Sequence, residues 1–224
     1  MGAAHTRSRP GAKTDGRVER GNATRRLVLA RTMEIASVEG LEGLSLGRIA
    51  GELELSKSGV FALFGSKEEL QLATVRAARA VFVREVVTPL QGHRPGLELV
   101  AQVCERWLVY SRDRTFPGGC FFFAVGAEFD ARSGPVRDAV AANHREWARW
   151  VEQAVAEAAA AGELCAEAEP AQLAFEFIAL LETANLHSLL HDDPTAYERA
   201  GKGILSRLRA VAVDPDALPA QLGG

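Results

Sequence analysis

The chain is predicted to fold entirely as α-helix. Three observations lead there: apolar residues recur at three- and four-residue spacing along most of the length, no β-branched alternating run competes, and the breaks fall on Gly, Pro or serine caps. The spacing of Leu29, Met33 and Ala36 predicts a first helix from Asn22 or Thr24 to a C-terminal cap at Gly40. Ser45 is the expected N-cap of a second helix through Leu46, Ile49, Ala50 and Leu53. A third runs from Ser56 to Phe64 and stops at Gly65. Ser66-Lys67-Glu68-Glu69 then reads as a capping box for a fourth that continues to about Val87. Downstream, helices are expected over 97–111, ended by Pro117-Gly118-Gly119, and over 121–129. Val136, Val140, His144, Trp147, Val151 and Val155 lie on one long helix closed by Gly162. Two more are expected from Pro170 to about His191 and from Pro194 to about Val211. Residues 1–22 carry Arg7, Arg9, Lys13, Arg17 and Arg20 among Gly, Ser, Ala and Pro, without apolar periodicity. They read as a disordered basic arm.

Composition narrows the function. Hydrophobic residues make up 47% and charged ones 25% of the 224, as in ordinary globular proteins. No run of eighteen apolar residues occurs and no apolar stretch follows the basic N-terminus, so no membrane partner and a cytoplasmic location are expected. Cys104, Cys120 and Cys165 are widely spaced, with no CxxC or Cys/His cluster. Buried thiols are the expectation, with no metal and no cofactor. His187 and His191 sit four apart on a helix, but the pattern supplies no third ligand. No Ser/His/Asp order, P-loop or HExxH motif is present, so no catalytic residues are assigned and an enzyme is not expected. The net charge of −3 conceals an asymmetry: residues 1–76 hold twelve Lys/Arg against nine Asp/Glu, and the remainder fourteen against twenty. A basic front on an acidic body suits a nucleic-acid reader fused to another module.

The stretch SKSGVFALF, residues 56–64, sharpens that reading. It has helical spacing but poor helix formers, and it follows the second helix after a turn of a few residues. Two short helices around a tight turn, the second weak, describe a helix-turn-helix whose second helix enters a major groove about 12 Å wide. Small residues let its backbone approach DNA. Gly59 costs about 1 kcal/mol against alanine in an ordinary helix, a cost that a DNA-facing position explains. Ser56 caps the helix, Ser58 presents a hydroxyl, and Lys57 supplies charge. A short connecting helix in a bundle is the plainer alternative from spacing alone.

Residues 27–70 as a whole resemble the N-terminal DNA-binding domain of the tetracycline-repressor (TetR) family of transcriptional regulators. The resemblance is carried by Leu29, Met33, Gly40, Ser45, Ile49-Ala50, Leu55-Ser56-Lys57, Phe61, Phe64 and Ser66-Lys67-Glu68-Glu69-Leu70. Four positions depart from the family pattern. Ala36 stands for an aromatic, Phe61 for a tyrosine, Leu63 for a frequent histidine, and Glu54 for a frequent glycine in the turn. The resemblance implies a DNA-binding set of Ser45, Arg48, Ser56, Lys57, Ser58, Gly59, Phe61 and Lys67. Ser45 and Lys67 would sit at helix N-termini that favour phosphate, with Arg25 and Arg26 reaching a neighbouring phosphate or minor groove. It further implies a C-terminal helical domain that binds an effector and dimerises, hence three segments: the arm at 1–22, the helix-turn-helix domain at 23–76 and the effector-binding and dimerisation domain at 77–224.

In that C-terminal segment, AQLAFEFIALLETANLHSLL is apolar almost all round its first turns and needs cover on two sides. A homodimer through residues 170–211 is expected, with Ala200, Gly201 and Gly203 allowing close helix approach. A cavity would be lined by Trp107, Phe121, Phe123, Trp147, Phe175 and Phe177, with His187, Glu128, His144, Glu176 or Asn185 as polar anchors. The reading is a regulator that releases palindromic double-stranded DNA when a small hydrophobic effector binds. The alternative is a redox-sensing regulator acting through Cys120, which lies in an exposed-looking PGGCF turn.

Overall fold

The computed structural model describes residues 12–223, and all of its regular elements are helical. They are α1 (Ala12–Glu39), α2 (Leu46–Glu52), α3 (Lys57–Phe64), α4 (Lys67–Phe82), α5 (Leu97–Arg112), α6 (Phe121–Phe129), α7 (Pro135–Ala160), α8 (Pro170–Leu190) and α9 (Ala196–Val211). Serine caps open three of the first four as expected. Ser45, Ser56 and Ser66 accept from the backbone N–H groups of Arg48, Gly59 and Glu69 at 3.1, 3.0 and 3.1 Å, each a contribution of about 1 kcal/mol. The capping box at Ser66 is only half made, because the Ser66 N–H donates to the Phe64 carbonyl instead of meeting Glu69.

Two boundaries differ from expectation. The first helix begins at Ala12, so residues 12–22 of the expected disordered arm are helical, while Arg7 and Arg9 lie outside the described residues. The segment has no apolar face, but extending a helix already nucleated by packed residues such as Val28 and Ile35 costs far less than starting one. The fourth helix gives way to a π-helical turn over Val83–Val87 and a 3₁₀ turn over Thr88–Leu90. Pro89 lacks an N–H to donate four residues back, and the ladder rearranges ahead of it.

One core runs through the chain. Helices α1 to α3 pack together around Ile35, Leu44, Ile49, Val60 and Phe64, and α4 carries that packing into the rest of the bundle, touching α1, α3 and α7. Helix α5 lies against α7, α8 and α9, and α6 rests on α1 and α7. The Pro117–Gly119 turn is wedged between α1 and α8. A Cβ on Gly118 would lie 1.8 Å from the Ser37 carbonyl, and one on Gly119 1.9 Å from Asn185 Oδ1. The small Ala36 and Ser37 make room there, and the Ser37 hydroxyl accepts from the Gly118 N–H at 3.1 Å.

Helices α8 and α9 pack along each other. Among the described residues, α8 alone is by length and mean hydropathy long and apolar enough to cross a membrane. Here Leu173, Phe177, Leu181 and Ala184 are buried, while Phe175, Ala179, Thr183, Leu186 and Leu190 form an exposed stripe. The small residues of α9 serve the chain itself. Ala200 is buried, a Cβ on Gly201 would meet the Leu222 carbonyl at 2.1 Å, and Gly203 faces Leu180. The C-terminal tail folds back over this site, burying Leu218 and Leu222.

Candidate DNA-reading face and effector cavity

Four residues, Leu53 to Ser56, separate α2 from α3. The Leu55 N–H reaches the Ala50 carbonyl at 2.8 Å, closing the turn. Val60 and Phe64 anchor α3 inward, which leaves Lys57, Ser58, Gly59, Phe61 and Ala62 exposed in a short row. A Cβ at Gly59 would meet only the Ser56 hydroxyl. The outer face of this helix is therefore low and open, with Phe61 projecting at 56% exposure. Ser58 Oγ lies 3.4 Å from Ser56 Oγ.

The cations around this face are not equivalent. Arg48 is forked onto Glu39 and also bonds Glu52 at 2.8 Å, and Arg31 completes the cluster through Glu52 and Glu34. Hydrogen bonds from Arg48 hold the Glu39 carboxyl below its ordinary range, and Arg48 followed by Arg31 does the same for Glu52. Lys67 donates to the Glu42 carbonyl at 2.8 Å and to its carboxylate at 3.0 Å, which with Gln71 holds that carboxyl low. Of the residues expected at phosphate, Arg48 and Lys67 thus have intrachain carboxylates as partners. Lys57 makes no hydrogen bond or ion pair among the described residues. Arg25, expected to reach outward, instead donates to the Leu63 carbonyl at 2.7 Å and lies over the Phe64 ring, bracing α3 from behind.

Behind the head, α4, α5, α6, α7 and α8 enclose a cavity of about 250 Å³. Trp107, Phe123 and Trp147, all expected at a ligand, line it. Phe82 meets Trp147 edge-to-face at 5.2 Å, and Trp147 lies 5.6 Å from Trp150. Val83 and Val87 of the π-helical turn close one wall, beside Phe122. The other expected residues fall elsewhere. Phe121 and Phe177 are fully buried in the core, Phe175 is 70% exposed on the α8 stripe, and His187 meets His191 edge-to-face at 4.8 Å. Among the described residues no group of three or more His, Cys, Asp or Glu is placed to hold a metal.

Polar anchors are also sorted by packing. His144 lines the cavity, and its Nε2 donates to the Phe122 carbonyl at 2.8 Å. Glu128 turns the other way, accepting from the Leu41 and Glu42 N–H groups at 2.7 and 2.8 Å. Asn185 is buried, its Oδ1 accepting from Ser111 Oγ and the Cys120 N–H. Glu176 accepts from Arg207 on α9 at 2.6 Å. The residue missed by sequence reasoning is Glu182, a carboxylate inside an otherwise apolar run of α8 that opens onto the cavity. It is the one carboxylate within 177–190, and that was its signal. Burial pushes its carboxyl above the usual range, with His144 acting against the shift.

Cys120 is not exposed. It is buried at the cavity wall, and burial pushes its thiol up to about 11. Cys104 is buried too and pushed up to about 12. A sensing thiol needs a lowered pKa, so neither residue favours redox sensing.

Comparison with known proteins agrees with this architecture. A profile of bacterial regulatory proteins of the tetR family matches residues 28–74, and a tetracyclin repressor-like C-terminal domain matches 96–204. No curated protein matches the chain significantly. Among solved structures, a TetR transcriptional regulator from Chloroflexus aurantiacus is 24% identical, with a TM-score of 0.79 over 91% of this chain and 99% of its own. A TetR-family regulator from Agrobacterium tumefaciens is 18% identical, TM-score 0.74, over 86% and 100%. A transcriptional regulator from Saccharomonospora viridis, solved with choline, is 19% identical, TM-score 0.63, over 75% and 86%. These likenesses speak to the fold; the two profiles, matching head and body in order, add the family. The chain belongs to the TetR family of DNA-binding transcriptional regulators.

Proposed function

We propose that the protein is a non-catalytic, cytoplasmic repressor that leaves a palindromic operator when a small, largely apolar effector enters the α4–α8 cavity. Residues 23–76 form the reading head, and residues 77–224 the effector-binding and dimerisation body. The observation that carries this is the outer face of α3: Lys57, Ser58, Gly59 and Phe61 exposed on a helix whose other side is anchored. Ser45 and Ser56 hold the N-termini of α2 and α3, and Lys67 and Arg48 exchange their carboxylate partners for phosphate on binding. Two copies joined through residues 170–211 would present two α3 helices to successive major grooves about 34 Å apart. The cavity and the choline held by the Saccharomonospora viridis protein support a ligand-responsive body. Moving the operator-competent population from 99% to 1% takes about 5.5 kcal/mol of differential ligand affinity.

Selection from random duplexes tests this reading. The expected outcome is an enriched palindrome whose binding falls steeply with salt. Lys57→Ala should weaken all sequences alike and flatten the salt slope by roughly one unit if it neutralises one phosphate. Ser58→Ala should instead shift sequence preference. A pool without an enriched motif refutes the proposal.

A further inference from the structure

Glu182 sits where a carboxylate is hard to keep. It makes no hydrogen bond or ion pair among the described residues, although every fully buried polar side-chain atom there has a partner. Its oxygens therefore face open cavity space. The walls around it are rings: Phe82, Phe123, Trp107, Trp147 and Trp150. Two lining groups can carry positive charge: Arg79 is already forked onto Glu146, so that pair adds no net charge, and His144, whose Nε2 is held by the Phe122 carbonyl, acts on Glu182 from a distance without bonding it. A neighbouring cleft shares Phe123, His144 and Glu182, and it carries Asp130, Arg137 and Arg145. None of the three bonds Glu182. The cavity thus holds one carboxylate among aromatic faces that no cation of the described residues bonds.

An isolated carboxylate in an apolar enclosure is destabilising, and leucine at this position would be cheaper for folding alone. Aromatic faces and a carboxylate share one preferred guest, because both attract positive charge. We propose that the cavity recognises a small lipophilic organic cation, a quaternary or protonated ammonium carrying one ring, with its charge on Glu182 and its apolar part against the wall that Trp147 and Phe82 form together. The size agrees: about 250 Å³ lies below the range of about 300–1,000 Å³ common for drug-sized ligands. This assignment rests on the cavity being the effector site.

The test uses three matched probes on the full-length protein, benzyltrimethylammonium, its uncharged carbon isostere neopentylbenzene, and phenylacetate, followed by tryptophan fluorescence and operator release. The expected result is at least tenfold tighter binding of the cation than of the isostere. Glu182→Gln should remove that preference while leaving the isostere unchanged, and Trp147→Leu should weaken both. The proposal is overturned if the isostere or the anion binds as tightly as the cation, if Glu182→Gln leaves the preference intact, or if no probe binds. Operator release by the neutral or anionic probe at concentrations as low as the cation needs would end the cation assignment and keep the effector reading. Selective cation binding that never alters operator affinity would do the reverse.

Discussion

Glu54 holds the turn between α2 and α3 at φ +54°, a left-handed conformation that glycine adopts without strain. For a residue with a Cβ it costs roughly 1–2 kcal/mol, partly offset because glycine gains about 0.4–1 kcal/mol of unfolded-state freedom. Glu54→Gly is therefore expected to leave the fold intact and raise stability by up to about 1 kcal/mol, read from the midpoint of urea unfolding. A clear loss of stability would mean that the Glu54 side chain supports the turn. The same residue shows how legible the head was: its departure from the family pattern was visible in the sequence, but its backbone angle was not. Arg48 and Lys67 make the complementary point. Their charge and helix position were readable, as was the Arg48–Glu52 pair four residues apart, whereas Glu39 and Glu42 lie nine and twenty-five residues from Arg48 and Lys67 and depend on how α2 meets α1 and how α4 meets the turn between them.

At the scale of elements, α6 spans the distance between cavity and head. Its start lines the cavity through Phe122 and Phe123, and its end grips the α1–α2 turn through Glu128. Nine helical residues cover about 13 Å, so a shift at one end reaches the other without intermediate side chains. Gly40 lies against that carboxylate, since a Cβ there would come within 2.5 Å of Glu128 Oε2. Glu128→Ala should cost about 1–2 kcal/mol, the range for hydrogen bonds to a charged, half-exposed acceptor. It should also blunt effector-driven operator release more than it weakens effector binding. Denaturant melts and paired titrations check both. Unchanged stability together with an unchanged response would remove α6 as the link.

For the whole molecule, the exposed α8 stripe is the surface that a second copy would cover. Phe175→Glu places a charge at its most exposed ring without touching the core, unlike any change at Leu181, which is buried. The expected outcome is a folded monomer with lost operator binding, seen by sedimentation at micromolar concentration and by gel shift. An unchanged dimer would move the interface elsewhere. Acid should act first on the head. The carboxyls of Glu39, Glu42 and Glu52 are lowered by their cationic partners, three lowered carboxyls within the head against one on α7 (Glu146) and one on α8 (Glu176). The stability they contribute is present above the ordinary carboxylate value of about 4.3 and is lost as pH falls through their lowered values. Glu182 runs the other way: its raised carboxyl favours the fold when protonated, and that contribution fades as pH rises from the ordinary value through its own. Hydrogen exchange at pH 4 and below is expected to show α1 to α3 losing protection before α7 and α8. Uniform loss across the chain would contradict this.

The helices, their serine caps, their glycine stops and the helix-turn-helix were determined by the sequence itself, because each depends on residues within about four positions of one another. So was the need for cover on α8, which is a property of one helix's composition. Tertiary structure alone decided which rings border the cavity. Phe121, Phe122 and Phe123 are consecutive, yet the first is core while the other two line the cavity, because neighbouring helices fix which face of α6 turns inward. Gly201 looked available to a partner and is filled by the chain's own tail, from twenty-one residues away. Glu182 was legible as an anomaly in an apolar helix, but only the convergence of α4, α5 and α7 around it gives that charge a surrounding of aromatic faces. Local pattern sets what a helix is, and distant packing sets what each of its faces meets.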